Sequence, residues 1–261
     1  MERYWRIYRT FVSTSLIREL EFKANFFAKL LQQTVWCGFF VVIIFVIYGK
    51  STDVAGWGRA DSFILAATVF LITGISAAFT SSLNDIPQMV RQGTLDFVVS
   101  KPVDSQFWVS ARRFNFDQVG VLLTGIAMVV SGVVTNGNHP SLAQWLAYSV
   151  LVLSGSVLFY AFNLILMTTG IWLVRVDNLF ILSESVTNVA RFPVDIYNLG
   201  IRWVLTYAIP LALLSTVPAR QLVKGFDIGG LMLGVIWAIA LLLAARFFWK
   251  FALTKYSSAS S

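Results

Sequence analysis

The chain has 261 residues, 57% hydrophobic and only 13% charged, with a mean hydropathy of +0.73. So little charge cannot cover a soluble globule, which excludes a water-soluble enzyme and points to an integral membrane protein of the all-α class. The formal charge of +7 comes from basic residues that flank apolar runs instead of forming a separate domain, and this excludes nucleic acid as a partner.

Residues 1–25 are not a span. Tyr4, Trp5, Tyr8, Phe11, Val12, Leu16 and Leu20 recur at helical spacing, while Glu2, Arg3, Arg6 and Arg9 lie off that face. The pattern predicts an amphipathic helix lying on the membrane surface, with Trp5, Tyr8, Phe11, Val12, Arg6 and Arg9 at the lipid boundary. The other reading is a solvated helix packed on its own protein.

Ala28–Tyr48 is the first span, with no charge after Lys29. Cys37, the one cysteine, lies within it and serves packing. The long charged leader and the lack of a small-residue cleavage site predict that no signal peptide is removed. Gly49-Lys50-Ser51 mimics the end of a phosphate-binding loop. The first glycine of that motif would stand at position 44, which is Ile44, and the preceding element is a membrane span. The second span is Phe63–Leu83.

The loop that follows holds Pro87, which suits the first turn of a short helix, and Gly93, which can stop it. Thr94 can cap a second short helix that Pro102 ends, with Leu95, Val98 and Val99 on one face. Such an element is either a docking helix or a simple reversal of the chain along the bilayer.

Val119–Val134 and Leu142–Val174 are the third and fourth spans. The fourth is too long for one upright crossing. His139, the one histidine, lies in the short loop between them and is inert. Between Asp177 and Val217 two readings compete. Hydropathy favours Ile201–Val217 as a span, although Pro210 interrupts it, and Asn178–Phe192 is the more polar alternative. In the second case Glu184 is an ionisable group inside a span and must face protein or water, as Asn163 in the fourth span can. The last span is Ile228–Phe248, where Gly230 and Gly234 permit close helix packing. The core unit is residues 26–250, followed by a tail, 251–261, with a Ser-rich frayed end.

Lys and Arg concentrate before the first span, after the second and at the C-terminus. The positive-inside rule places these segments in the cytoplasm, and two cytoplasmic termini fit six spans. There is no catalytic constellation and no metal-ligand spacing. No polar stripe along several spans marks a channel.

Arg91-Gln92-Gly93-Thr94-Leu95-Asp96-Phe97-Val98-Val99-Ser100-Lys101-Pro102 resembles the signature of ATP-binding-cassette exporter permeases of the second type. The layout of basic amphipathic helix, six spans and internal termini is also similar. Arg191-Phe192-Pro193-Val194-Asp195-Ile196-Tyr197, Ala208-Ile209-Pro210 and Val217-Pro218-Ala219 resemble the subfamily without a fused ATPase, whose members are mostly uncharacterised. The resemblance implies a coupling helix between spans two and three that docks on a separate nucleotide-binding ATPase subunit. The cofactors ATP and Mg then belong to that partner, and none to this chain.

In this picture Leu95, Val98 and Val99 make the apolar contact. Arg91, Asp96 and Lys101 orient it, and Gly93, Thr94 and Pro102 shape the loop. A second permease chain, identical or related, completes a dimer in the bacterial inner membrane, with the pathway at the interface. Asn178–Phe192 becomes the fifth span, and Ile201–Val217 a re-entrant element. Few intramembrane charges imply apolar walls and an amphiphilic, lipid-like or glycolipid cargo.

Overall fold

The computed structural model describes residues 2–137, 139–173 and 177–256. Val174, expected to end the fourth span, and the Ser-rich residues 257–261 lie outside them.

Helix α1 (Glu2–Glu21) passes into α2 (Lys23–Tyr48) through Phe22, whose φ of −109° and ψ of 53° break the helical path. A hairpin-like turn follows. Ala55 and Gly56 both take positive φ, and Val54 and Trp57 exchange backbone hydrogen bonds across it, which turns Trp57 fully into the protein. Helix α3 (Arg59–Thr80) starts where the Asp61 carboxylate accepts the Gly58 N–H at 3.0 Å. It tightens into a 3₁₀ turn (Ser81–Asp85) and leads to α4 (Ile86–Arg91), α5 (Asp96–Val99) and α6 (Ser105–Ala111). Asp104 caps α6 by accepting the Phe107 N–H.

Helix α7 (Gln118–Thr135) and helix α8 (Leu142–Thr168) come next. The Ser141–Gln144 capping box fixes the start of α8. Helix α9 (Asp177–Ala190) is followed by an irregular stretch: a 3₁₀ turn (Val194–Ile196), α10 (Leu199–Trp203), a π turn (Val204–Ala208) and a 3₁₀ turn (Leu211–Leu214). Helix α11 (Thr216–Val223) and the long α12 (Ile228–Lys255) complete the chain.

Among the described residues five helices are long and apolar enough to cross a membrane: α2, α3 with its extension to Arg91, α7, α8 with its extension to Ile171, and α12. The protein is therefore multi-pass. The rival stretches before α12 also differ physically. Residues 177–190 form one unbroken helix, whereas the more hydropathic run Ile201–Val217 is broken at Ile209–Pro210, where proline cannot donate the next helical hydrogen bond.

Helix α3 is the centre of the bundle. It packs mainly on α7 and α8, and α8 in turn packs on α12. Small residues permit this. A Cβ on Gly132 of α7 would lie 2.9 Å from the Ala60 carbonyl oxygen, and one on Gly234 of α12 would collide with Leu151 of α8. Gly230 is crowded by Asp227 and Val217. Cys37 is buried and unpaired in a disulfide, and His139 is exposed.

Candidate functional site: a docking loop and a polar cleft

The loop after α3 forms as two short helices. Pro87 lies in the first turn of α4, and Gly93 ends it with a φ of +67°, a conformation glycine adopts freely. Thr94 does not cap α5. The residue before Asp96 is Leu95, itself in helical geometry, and the Thr94 hydroxyl donates back to the Met89 carbonyl at 3.4 Å.

The residues of the expected apolar contact divide between the interior and the surface. Leu95 is fully buried and Val98 is 3% exposed, both inside a cluster with Leu83, Ile86, Leu164, Met167 and Trp249. The residues turned outward are Phe97, 70% exposed, and Val99. Arg91, Lys101 and Pro102 are exposed beside them, and Asp96 is half-buried. Sequence spacing identified a face at i, i+3 and i+4; the protein covers Leu95 and Val98 itself and leaves Val99 outside. Phe97, the residue the spacing left aside, presents the largest free apolar surface of the motif. Next to it lies a recess of about 400 Å³ lined by Gln88, Gln92, Lys101, Trp108 and Arg113.

The loop is braced from both sides. Asp85 holds Arg112 and, at 2.9 Å, Arg113. Burial lowers the affinity of Arg112 for its proton, and the Asp85 charge works against this. The Lys101 ammonium lies 3.4 Å from the Trp108 ring centroid. Asp104 is bound by Arg246 of α12. Burial alone would raise the Asp104 carboxyl, but the hydrogen bonds from Arg246 and from the Phe107 N–H hold it below the usual carboxylate range.

Helix α1 rests on the same platform. Tyr4 meets Phe107 edge to face at 5.0 Å, Phe11 meets Trp108 at 4.9 Å, and Ser15 accepts the Phe114 N–H. Tyr8 lines an apolar cavity with Phe79, Leu153 and Tyr160. The expected single face therefore divides. Tyr4, Tyr8 and Phe11 turn toward the protein, Val12 is half-buried, and Trp5, Leu16 and Leu20 stay exposed along with Arg6 and Arg9.

Above the loop, between α2, α3, α7, α8 and α9, lies a cavity of about 420 Å³. Its lining is polar at many points: Gln33, Thr73, Gln118, Asn163, Glu184 and Arg191 all contribute. The sequence reading found no polar stripe, and the structure corrects it. Each helix supplies only a few polar groups, every one unremarkable alone. The signal that could have found it is Thr73, Ser76, Thr80 and Asn84, which recur at helical spacing through α3 and its extension.

Both interior candidates line this cleft. Asn163 accepts the Ser183 hydroxyl hydrogen at 2.6 Å, tying α8 to α9, while the Glu184 side chain is exposed at the rim. Arg191, which sequence reasoning did not single out as a site residue, closes the far end. Its guanidinium lies 5.3 Å from the Phe40 centroid, 5.6 Å from Trp36 and 6.0 Å from Phe70, and Phe40 and Phe70 themselves meet edge to face. Among the described residues no group of three or more His, Cys, Asp or Glu could hold a metal ion.

At the other end of the bundle Asp195 is the hub of a second network. It accepts from Trp57 Nε1 at 2.9 Å and from Arg220 at 2.6 and 2.8 Å, and Arg202 lies 3.5 Å away. Burial would raise this carboxyl, but the hydrogen bonds from Arg220 and Trp57 and the two positive charges pull it below the normal range.

Compared with known proteins, residues 34–260 match the family model described as ABC-2 family transporter protein. No curated protein and no solved structure matches the chain.

Proposed function

Because the chain belongs to the ABC-2 transporter protein family, we propose that it is the membrane subunit of an ATP-driven exporter. The ATPase, with its ATP and Mg, resides in a partner chain that docks on the loop after α3. The observation that carries this reading is the contrast within the motif. Leu95 and Val98 anchor it in the bundle, while Phe97 and Val99 stand outside it with no cover from the chain. A contact of this kind transmits movement only if its inner side is stiff, because ATP acts by favouring one permease conformation over another.

In this assignment both termini are cytoplasmic and the membrane is a bacterial inner membrane. Helix α9 is the fifth of six spans, and residues 199–223 form a broken, re-entrant element at the outer side. A second permease chain covers α2 and α9. Two observations support this: only 17% of the most apolar stretch of α2 is buried, and Glu184 on α9 is exposed, which, with α9 as a span, leaves an uncovered carboxylate that costs about 2.5–3.5 kcal/mol. A passive channel is less consistent with the geometry, because Phe40, Phe70 and Arg191 pack across the end of the cleft.

The test is affinity purification of the tagged chain with its motor. Phe97→Asp is expected to abolish co-purification of the ATPase and leave membrane insertion and thermal stability unchanged. Recovery of an active motor with Phe97→Asp would overturn the docking assignment. Leu95→Asp is unsuitable for this test, since a buried aspartate would disrupt the protein itself.

A further inference from the structure

Among the described residues, the arginine of the polar cleft differs from the other half-buried ones. Arg112 and Arg113 pair with Asp85, Arg202 and Arg220 with Asp195, and Arg246 with Asp104. Arg191 is half-buried as they are, yet among the described residues it has no carboxylate within ion-pair distance. Among the described residues its guanidinium donates one hydrogen bond, to the Asn188 side chain at 2.9 Å, and its Nε, like those of Arg112, Arg202 and Arg220, is buried without a partner. A guanidinium has five N–H donors and favours carboxylate or phosphate oxygens. Three aromatic rings hold the charge in place without using those donors.

A second observation gives the shape of the ligand. The polar cleft borders a larger groove of about 860 Å³ outside α2, and Gln33, Trp36 and Glu184 line both. The rest of that groove is mostly apolar, with Ala28, Leu31, Val35 and Phe39 along its wall. A polar chamber ending in a cation without a salt bridge thus lies beside an apolar groove.

We infer that the two chambers form the cargo site, which takes an amphiphile with an anionic headgroup: the head enters the polar cleft and binds Arg191, and the apolar tail lies in the groove along α2. The inference rests on the exporter reading and names its substrate class. Asn163, Gln33 and Gln118 offer carboxamides to hydroxyl or phosphate oxygens of the head. Glu184, on α9, lines both chambers, and Arg191 follows the end of that helix seven residues later. Its negative charge opposes the entry of an anion and so sets a limit on how tightly one is held.

The experiment is equilibrium binding to the purified full-length chain in neutral-lipid nanodiscs, without the motor. The probes are lysophosphatidylglycerol, a monoacylglycerol of the same chain length, and inorganic phosphate. The wild-type chain should prefer the anionic amphiphile over the neutral one by about tenfold or more, the range expected for a charge-assisted hydrogen-bonded contact. Arg191→Gln should abolish that preference while leaving monoacylglycerol binding intact, and Arg191→Lys should restore part of it. Glu184→Gln should raise the affinity for the anionic probe severalfold.

An unchanged preference with Arg191→Gln, or weaker anionic binding with Glu184→Gln, would overturn the inference. Phosphate binding as tight as the lysolipid would replace an amphiphile site with a free-anion site and also overturn it. If Arg191→Gln fails to fold, the Lys and Glu184 variants still decide. Because no ATPase takes part, a failed motor co-purification and a failed lipid preference are separate results.

Discussion

Helices α2 and α3 have nearly the same hydropathy and opposite positions. In their most apolar stretches 67% of α3 but only 17% of α2 is buried within the chain. Hydropathy reports the solvent a helix can live in, not the neighbour it packs against. Small residues contribute to the difference. Helix α3 brings Ala66, Ala67, Gly74, Ser76 and Ala78 to its neighbours, whereas α2 turns Trp36, Phe39, Val42 and Phe45 outward. In a membrane, where apolar side chains gain little by leaving lipid, close approach through small residues is what selects the central helix.

Matched glycines give the most direct way to break this comparison. Gly132→Leu forces a side chain against the Ala60 carbonyl of α3 and should destabilise the fold by ~3 kcal/mol, seen as a large loss of monodisperse protein after detergent extraction. An unchanged yield and melting temperature would mean that the α3–α7 contact is not the core.

A smaller effect is expected from Asp195→Asn, which removes the anchor joining the 49–58 turn to α10 and α11. Its arginine partners are 35–40% exposed, so solvent screening limits the loss to about 1–2 kcal/mol. The sign with pH follows from the lowered carboxyl. The stabilisation is complete above the unfolded pKa of ~3.9 and is lost as pH falls through the lower folded value. Between pH 5 and pH 3 the melting temperature of Asp195→Asn should therefore approach that of the wild type, and a gap that stays constant would remove Asp195 from the account.

The smallest effect belongs to Gly38→Leu on α2, where an added Cβ meets nothing within 4 Å. It should change protomer stability by under ~0.5 kcal/mol. Any effect should appear instead in the crosslinked dimer fraction. A protomer destabilised as strongly as by Gly132→Leu would erase the distinction between the two flanks.

The parts of the fold that were legible in the sequence carry their cause locally. Pro87 starts α4, Gly93 stops it, and Pro210 breaks the run before α12, each through its own backbone geometry. What was not legible depends on neighbours distant in sequence. The 95–98–99 spacing gave a face without saying that Trp249 and Leu164 would cover part of it. The polar cleft draws on five helices, and Gln33, Thr73, Gln118 and Asn163 look like isolated helix-bonding residues until the helices are assembled. Arg191 read as part of a family pattern, and only the absence of an aspartate beside it sets it apart.

The platform beneath the bundle has a mechanical meaning. Lys101 sits on Trp108, Trp108 on Phe11 of α1, and Asp104 is fastened both to Arg246 of α12 and, through its N–H, to the Tyr4 hydroxyl. The first and last helices of the chain are therefore yoked to one short segment. A load applied at residues 96–104 is therefore shared between α1 and α12, two helices that almost the whole sequence separates.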